Sequence, residues 1–442
     1  MKQWGKLSGL TAFFVAFAGQ ITSTIGSAIT SFGVSIWLYQ QTGQATELTW
    51  ASAAFLGPLL LVAPFAGTVV DRGNRKRFMI LADVAAGMTT IILLLLFRAG
   101  GLEQWHIYLL NIVNGIAQAF QWPAFSASVT LIVDKKQYAR AAGFMQLGNP
   151  TARVIAPAAA AALLAFSTFE LLLWVDLATF IFAVVTMAFV IVPQPKISAE
   201  NNTKDGYLAA TKLGFTYLLR HPSLLGIQLM KMGSNLGAIF GVAVIVPMIL
   251  ATTGNDEAAL ATARAIAAAG GIVGGLALGA WGGISKDRDR MLYILLAMSL
   301  VSITGIFYGI AHNVAGWAIA GFLSQFFAAF VNANTRAIWQ RKIPPDIQGR
   351  VFAVQGLITS LMLPIITVIA GPLADKFFEP ALLSSGVLAS TFGWLVGNSP
   401  GSGMSLMFVL GNCVGLAVVI ASFYSTSIRQ IEKLMPDFDE RE

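Results

Sequence analysis

The chain has 442 residues, of which 56% are hydrophobic and only 11% are charged, and its formal net charge is +7. Soluble proteins carry about 25% charged residues, so this chain lacks the polar surface that a soluble protein of its size needs. The composition therefore excludes a soluble enzyme, a nucleic-acid-binding protein and a disordered chain. It indicates a polytopic helical membrane protein.

Twelve apolar segments are each long enough to cross a bilayer as a helix, which takes about 20 residues. We place them at 9–38, 47–70, 78–98, 105–133, 139–166, 170–192, 223–251, 259–282, 291–311, 315–340, 350–377 and 403–426. With the N-terminus in the cytoplasm, the cytoplasmic loops and tails hold 22 of the 28 lysines and arginines, and the opposite side holds two. This asymmetry predicts an all-α membrane protein with twelve transmembrane helices and both termini cytoplasmic.

The longest cytoplasmic interruption, 193–222, divides the chain into two sets of six spans. It opens with two prolines, continues as a polar stretch and becomes amphipathic from residue 207 to residue 220. We therefore predict an N-terminal six-helix bundle over 1–192, a cytoplasmic linker with an amphipathic helix over 193–222, and a C-terminal six-helix bundle with a short cytoplasmic tail over 223–442. Repeated motifs in the two halves suggest that they rock against each other around a midplane site.

The loop between the second and third spans, 67–77, reads Gly-Thr-Val-Val-Asp-Arg-Gly-Asn-Arg-Lys-Arg. Together with the segments 214–222, 344–352 and 371–375, it resembles the major facilitator superfamily, and within that superfamily the macrolide-efflux and enterobactin-exporter branch of drug:proton antiporters. The resemblance implies the two-bundle fold and proton-driven export of amphipathic small molecules by alternating access. It also implies a functional monomer in the bacterial cytoplasmic (inner) membrane, surrounded by membrane lipids.

The same resemblance assigns a role to the loop. It implies that Gly67, Asp71, Arg72 and Arg75 form a cytoplasmic latch that holds the halves together when the cavity faces outward. The carboxylate of Asp71 would then meet the positive N-terminal end of the eleventh span. The alternative is that these charges only mark a short cytoplasmic turn.

Five spans carry polar residues at helical spacing, and steps of three, four or seven put each set on one face. Because a polar stripe facing lipid is unfavourable, these faces should point into protein or water. The resembled fold lines its cavity with these five spans. The candidate substrate-binding residues are Gln20, Asn114, Gln118, Arg153, Lys231, Asn235, Asn332 and Arg336. The alternative for many of these side chains is hydrogen bonding between helices.

The charges inside the spans suggest two further roles. No acidic residue lies within the seventh to tenth spans to neutralise Lys231 or Arg336, which predicts a basic cavity and an anionic substrate. Proton coupling needs a carboxylate whose proton affinity changes with access, and the candidates are Asp176, Asp83 and Glu47. An ion pair between Arg153 and Asp176 is an alternative for those two residues.

No cofactor and no metal site are expected, because the sequence contains no cluster of metal ligands, no nucleotide-binding motif and a single cysteine. The sequence also shows no pairing of a nucleophile with a general base, which argues against an enzyme. The expected partners are a small-molecule or lipid substrate and protons. Two rival functions remain open: a lipid or lysolipid flippase, and a membrane receptor or assembly partner that transports nothing.

Overall fold

The computed structural model describes residues 7–193, 207–281, 289–383, 386–435 and 437. Within these ranges the chain is helical, and its one β-type pairing is an isolated bridge between Leu7 and Val190. The predicted all-α class is therefore confirmed. The chain divides into two compact units, Met1–Ala199 and Glu200–Glu442.

The described part of the first unit contains six long helices. They are α1 (Gly9–Thr42), α2 (Ala45–Arg72), α3 (Arg75–Arg98), α4 (Gln104–Ile132), α5 (Tyr138–Phe166) and α6 (Phe169–Phe189). Local sequence sets several of their ends. The Asn74 side chain caps α3 by accepting from the backbone N–H of Arg77, and Glu103 and His106 form a reciprocal capping box at the start of α4. Gly43, at φ 65°, ends α1 in the left-handed conformation that glycine favours.

The second unit begins with the amphipathic helix α7 (Tyr207–Arg220) in its described part. The long helices that follow are α8 (Pro222–Thr253), α9 (Glu257–Trp281), α10 (Arg290–Ile310), α11 (Val314–Lys342), α12 (Pro345–Leu373) and α15 (Ser402–Tyr424). The segment between α12 and α15 contains the short helices α13 (Glu379–Leu382) and α14 (Ala389–Val396), and two further turns, α16 (Thr426–Arg429) and α17 (Ile431–Leu434), follow α15. Asn313 caps α11 by accepting from the N–H of Gly316.

Ten helices in the described residues are long and apolar enough to cross a membrane: α1, α2, α3, α6, α8, α9, α10, α11, α12 with its extension to Leu382, and α15. They coincide with ten of the twelve predicted spans. The other two predicted spans correspond to α4 and α5, which are 29 residues long each but more polar. Five side-chain amides lie on α4, and Arg140 and Arg153 lie on α5, so composition alone does not identify these two helices as spans.

Glycine sets the closest helix contacts in the first unit. Gly19, Gly26 and Gly33 recur every seven residues on one face of α1, and a Cβ built at each would clash with a side chain of α6. The clashing side chains, Thr186, Thr179 and Leu172, are spaced by seven residues in the same way. Small residues at this spacing let two helix backbones approach closely, as at other membrane helix interfaces.

Two ion pairs anchor the C-terminal segment of the second unit. The amino group of Lys342, at the end of α11, lies 2.8 Å from a carboxylate oxygen of Asp437, and Arg290, at the start of α10, lies 3.6 Å from Glu432. Both cations are buried, with Lys342 only 2% exposed. Burial raises the pKa of Glu432. Burial acts in the same direction on Asp437, but the hydrogen bond and charge of Lys342 outweigh it and hold the pKa of Asp437 below its ordinary value.

We expect Asp437→Asn to destabilise the second unit by about 3 kcal/mol at neutral pH, because it removes the carboxylate that lies 2.8 Å from the amino group of a buried lysine. Since the pKa of Asp437 is lowered on folding, its stabilising effect is present above the unfolded pKa and is lost as the pH falls through the folded pKa. Thermal unfolding in detergent as a function of pH measures both effects. The matched control is Glu170→Gln, which breaks the exposed pair with Arg98 and should change little. Equal effects of the two substitutions would contradict the expected role of Asp437.

Candidate functional site

A ring of three polar side chains, two of them buried and one half-buried, joins three helices of the first unit. Asp83 on α3 is 1% exposed. Its oxygens accept hydrogen bonds from Nε2 of Gln20 on α1, at 3.1 Å, and from Nε2 of Gln121 on α4, at 2.5 Å. Gln121 also donates to Oε1 of Gln20 over 2.8 Å. All of these donors are neutral amides, so the carboxylate is held by hydrogen bonds and not by a cation.

A second buried carboxylate lies between α1, α3 and α6. Asp176 on α6 is 4% exposed. It accepts hydrogen bonds from the hydroxyl of Thr90 on α3, at 2.8 Å, and from the hydroxyl of Ser27 on α1, at 3.1 Å. Arg153 on α5 is exposed, and Asp176 forms no ion pair with it in the described part of the chain. The alternative expectation of an Arg153–Asp176 ion pair is therefore wrong, because α1 and α3 supply the polar contacts.

The two networks are stacked along the same helices. Gln20 and Ser27 are seven residues apart on α1, and Asp83 and Thr90 are seven residues apart on α3. Seven residues make about two turns, or about 10 Å, and return to the same helix face. The spacing therefore places Asp83 in one polar layer and Asp176 in the next. Thr90 is not among the residues predicted from the sequence, although its distance of seven residues from Asp83 places it on the same face of α3.

The remaining candidates of the first unit differ in their surroundings. Asn114 on α4 accepts a hydrogen bond from the hydroxyl of Thr89 on α3 at 3.0 Å, so its side chain links two helices. Gln118, one turn away, is exposed and remains available to a ligand. Glu47, in the first turn of α2, accepts a hydrogen bond from the hydroxyl of Tyr108 on α4. It therefore lies at a helix end, away from the Asp83 and Asp176 layers.

The basic residues that begin α3 contact carbonyl oxygens of other helices. Arg75 donates from Nη1 to the carbonyl oxygen of Ala127 on α4 at 2.6 Å. Lys76 donates to the carbonyl oxygens of Ala188, at 3.2 Å, and Val190, at 2.7 Å, where α6 ends. A cation at the carbonyl end of a helix is favourable because the helix dipole is negative there. These two residues thus join the ends of α3, α4 and α6.

The other residues of the predicted latch are less completely described. Gly67 lies in α2, and a Cβ built there would meet nothing within 4 Å. The side chains of Asp71 and Arg72 lie outside the described residues. The latch expected from these four positions therefore stays a prediction.

In the second unit, a lysine on α8 contacts an asparagine on α11. The half-buried Lys231 donates from Nζ to Oδ1 of Asn332 at 3.3 Å. Arg336 lies one turn further along α11 and is exposed, and Asn235 lies one turn further along α8 and is half-buried. Lys231 and Asn332 thus lie at one level on two helices, whereas Asn235 and Arg336 each lie one turn away from that level.

Gln228 shares the polar stripe of Lys231 but has a different environment. It is 1% exposed, and its Nε2 donates to the hydroxyl of Thr359 on α12 over 3.0 Å. This residue therefore links α8 to α12. The sequence pattern alone did not distinguish it from Lys231, since both lie on the same face of α8.

Comparison with known proteins identifies the class. A family model described as Major Facilitator Superfamily matches residues 16–367. Macrolide efflux protein A of Streptococcus pyogenes is 27% identical over 377 residues, covering 82% of this chain and 89% of that protein. The multidrug efflux pump Tap of Mycolicibacterium fortuitum is 19% identical over 363 residues, covering 80% of this chain and 87% of that protein.

Solved structures show the same fold. A bacterial homologue of the human lysosomal transporter Spinster, in an inward-facing and unoccupied conformation, has a TM-score of 0.66 at 16% identity and covers 94% of this chain and 95% of its own. The nucleoside transporter NupG has a TM-score of 0.65 at 10% identity and covers 93% and 98%. At these identities the likeness concerns the fold alone.

The apolar helices and the match to the Major Facilitator Superfamily model identify an integral membrane transporter, not an enzyme. The chain belongs to the Major Facilitator Superfamily, and its sequence relatives within that family include macrolide efflux proteins. It is a protein of the bacterial cytoplasmic membrane. The family resemblance noted in the sequence is thereby confirmed.

Proposed function

We propose that this protein is a secondary active transporter that exports amphipathic small molecules by alternating access and is driven by protons. Its relatives include proteins named for macrolide and multidrug efflux, which supports export and an amphipathic substrate. The observation that carries proton coupling is the pair of buried carboxylates, Asp83 and Asp176, held in the described residues by neutral donors. Intramembrane carboxylates are costly and are typical of proton pathways.

The chemistry of the two polar layers suits a proton relay. An ionised carboxylate only accepts hydrogen bonds, whereas a protonated one also donates. When Asp83 takes up a proton, one amide that donates to it must turn and offer its carbonyl oxygen. The contacts of α1, α3 and α4 therefore depend on the protonation state, and the same holds for the hydroxyls around Asp176. This dependence would couple proton uptake to helix movement.

The proposed topology has twelve spans and cytoplasmic termini. It adds α4 and α5 to the ten apolar helices. Amides of α4 have partners inside the unit: Gln121 contacts Asp83 and Asn114 contacts Thr89. A helix whose polar face is turned into the protein can cross lipid in spite of its composition. The distribution of lysine and arginine between alternate loops supports cytoplasmic termini.

The proposed cytoplasmic latch consists of Gly67, Asp71, Arg72 and Arg75, which lie in the loop between the second and third predicted spans. We expect Arg75→Ala to lower the transport rate, because it removes the contact that joins the start of α3 to α4. Arg77→Ala is the matched control, since Arg77 is exposed at the same loop and should leave the rate unchanged. Both rates are measured with the purified variants in liposomes. Equal rates for the two variants would argue against a role for Arg75 in the latch.

Inverted membrane vesicles provide the test of the function. Export from the cell corresponds to uptake into such vesicles, and we expect an acidic interior to drive that uptake. The panel contains the macrolide erythromycin, a lipophilic cationic dye and biphenyl carboxylate. Uptake of at least one member that requires both the protein and the pH gradient supports the proposal, and uptake of none would refute it.

A lipid or lysolipid flippase is the second candidate, and one feature favours it. An apolar groove of about 300 Å³ lies between α3 and α4. Small side chains, Ala82, Ala85 and Ala117, line it together with Phe78 and Phe120, whose rings stack at 5.8 Å. Such a groove has room for part of an acyl chain. Movement of headgroup-labelled lysolipid without transport of any panel member would favour this function.

A further inference from the structure

The amino group of Lys231 has a single neutral partner among the described residues. That partner is Oδ1 of Asn332, at 3.3 Å, a long distance for a charged hydrogen bond. An ammonium group carries three donors, so two remain to be used. Because Lys231 is half-buried in a membrane-crossing helix, water replaces a missing partner only in part. The site therefore favours an additional acceptor.

Lys231 lies deep in its helix, and its amino group does not extend to the membrane surface. Lys231 lies nine residues from the start of α8, about 13 Å along the helix, and Asn332 lies ten residues from the end of α11, about 15 Å along it. The two residues thus lie at matching depths. The amino group is directed towards α11 at that depth and makes its hydrogen bond there.

Arg336 places a second cation beside this pair. It lies four residues after Asn332, on the same face of α11, and is exposed. In the described part of the chain it forms no ion pair. A guanidinium presents its N–H groups as a planar fork that matches a carboxylate, sulfate or phosphate.

The described residues of α8, α9, α10 and α11 place no negative charge at the depth of these cations. Within the described residues, α8, α10 and α11 contain no aspartate or glutamate, and α9 contains only Glu257, its first residue. That residue lies at the opposite end of the helices from Lys231, since α8 ends at Thr253 and α9 follows directly. Among the described residues of α8 to α11, an anionic group on a ligand would thus meet two cations and no nearby carboxylate.

We propose that Lys231, Asn332 and Arg336 form a binding site for the anionic group of an amphipathic substrate, either a carboxylate or a phosphate. The proposal rests on the proposed transport function and specifies its substrate class. Lys231 and Arg336 supply the charge, and the amide of Asn332 orients the amino group of Lys231 and offers its own N–H groups to the ligand. A small organic acid and an anionic lysolipid share this chemistry, and the experiment separates them.

Binding to the purified full-length protein in a nonionic detergent tests the site without relying on transport. The probes are biphenyl carboxylate, biphenyl methylammonium and lysophosphatidic acid, and titration calorimetry gives each Kd. We expect the wild type to bind an anionic probe and to discriminate against the ammonium probe. Binding by the carboxylate identifies a small-molecule site, and binding by lysophosphatidic acid alone identifies a lipid headgroup site.

Substitutions assign the binding to this site. Lys231→Met should weaken binding of the anionic probe about ten- to a hundredfold, as for loss of a charged hydrogen bond, and Arg336→Gln should weaken it in the same direction. Lys231→Glu should reverse the preference towards the ammonium probe. The matched control, Lys212→Met, removes an exposed lysine on α7 and should leave the Kd unchanged. Preservation of the melting temperature in each variant shows that it is folded.

The possible failures of the two proposals are distinguishable. If the wild type binds neither anionic probe, prefers the ammonium probe, or binds equally well after Lys231→Met, the anion site is refuted, whatever the transport assay shows. If binding depends on Lys231 but no panel member or lysolipid is moved, the anion site stands and the transport function fails.

Discussion

Asp176→Asn is expected to reduce gradient-driven transport to the rate measured without a gradient, while the affinity for substrate stays unchanged. Asparagine has nearly the shape of aspartate, keeps an acceptor oxygen for Thr90 and places an amide beside the hydroxyl of Ser27. It therefore preserves the packing of α1, α3 and α6 but takes up no proton. Uptake into inverted vesicles with and without an acidic interior measures the effect.

A matched control shows whether the effect is specific to Asp176 or follows from the loss of any carboxylate. The control substitution is Asp256→Asn. Asp256 is exposed and accepts a hydrogen bond from the backbone N–H of Ala259 at the start of α9. Asparagine caps helices about as well as aspartate, so Asp256→Asn should transport like the wild type. Full gradient-driven uptake by the Asp176→Asn protein would remove Asp176 from the coupling pathway and leave Asp83 as its main candidate.

A large effect on stability is also expected from Gly237→Ala in the second unit. A Cβ built at Gly237 on α8 would overlap the carbonyl group of Gly411 on α15. Because backbone atoms block the new methyl group, no side-chain rotation relieves the clash and the two helices must separate. We expect a loss of about 1–3 kcal/mol, the usual cost of overpacking, seen as a lower melting temperature in detergent.

The control for this prediction should change stability in the opposite direction. Gly275 on α9 has nothing within 4 Å of its built Cβ. Replacing a glycine in a helix by alanine gains about 0.5–1 kcal/mol when nothing is obstructed, so Gly275→Ala should raise the melting temperature or leave it unchanged. If Gly237→Ala and Gly275→Ala behaved alike, the close approach of α8 and α15 would be disproved.

Much of the fold could be predicted because apolar length is a strong local signal. The ten apolar helices coincide with predicted spans, since about 20 apolar residues suffice to indicate each one. The sequence did not predict that α1 continues to Thr42 or that α12 runs through a π-turn over 374–378 into α13. Helix ends depend on capping contacts such as the left-handed Gly43, which hydropathy does not detect.

The sequence predicted which residues are candidates for the site, but it did not predict which residues they contact. Asp83 and Asp176 stood out as carboxylates inside apolar segments, yet their surroundings depend on the rotation of α1 and α3, which one sequence does not determine. Gln20 was expected to face a substrate, whereas it donates to Asp83. The same holds for Asn114, which accepts from Thr89. Spacing identifies a polar face, but only packing decides whether that face meets another helix or a ligand.

Proton movement coupled to substrate transport tests the central proposal most directly. The purified protein is reconstituted in liposomes that contain a pH-sensitive dye, and a panel substrate is added to one side without an imposed gradient. We predict that the substrate gradient drives protons in the opposite direction, and that Asp176→Asn abolishes this movement while binding persists. Substrate flux with no accompanying proton movement would contradict proton-coupled export.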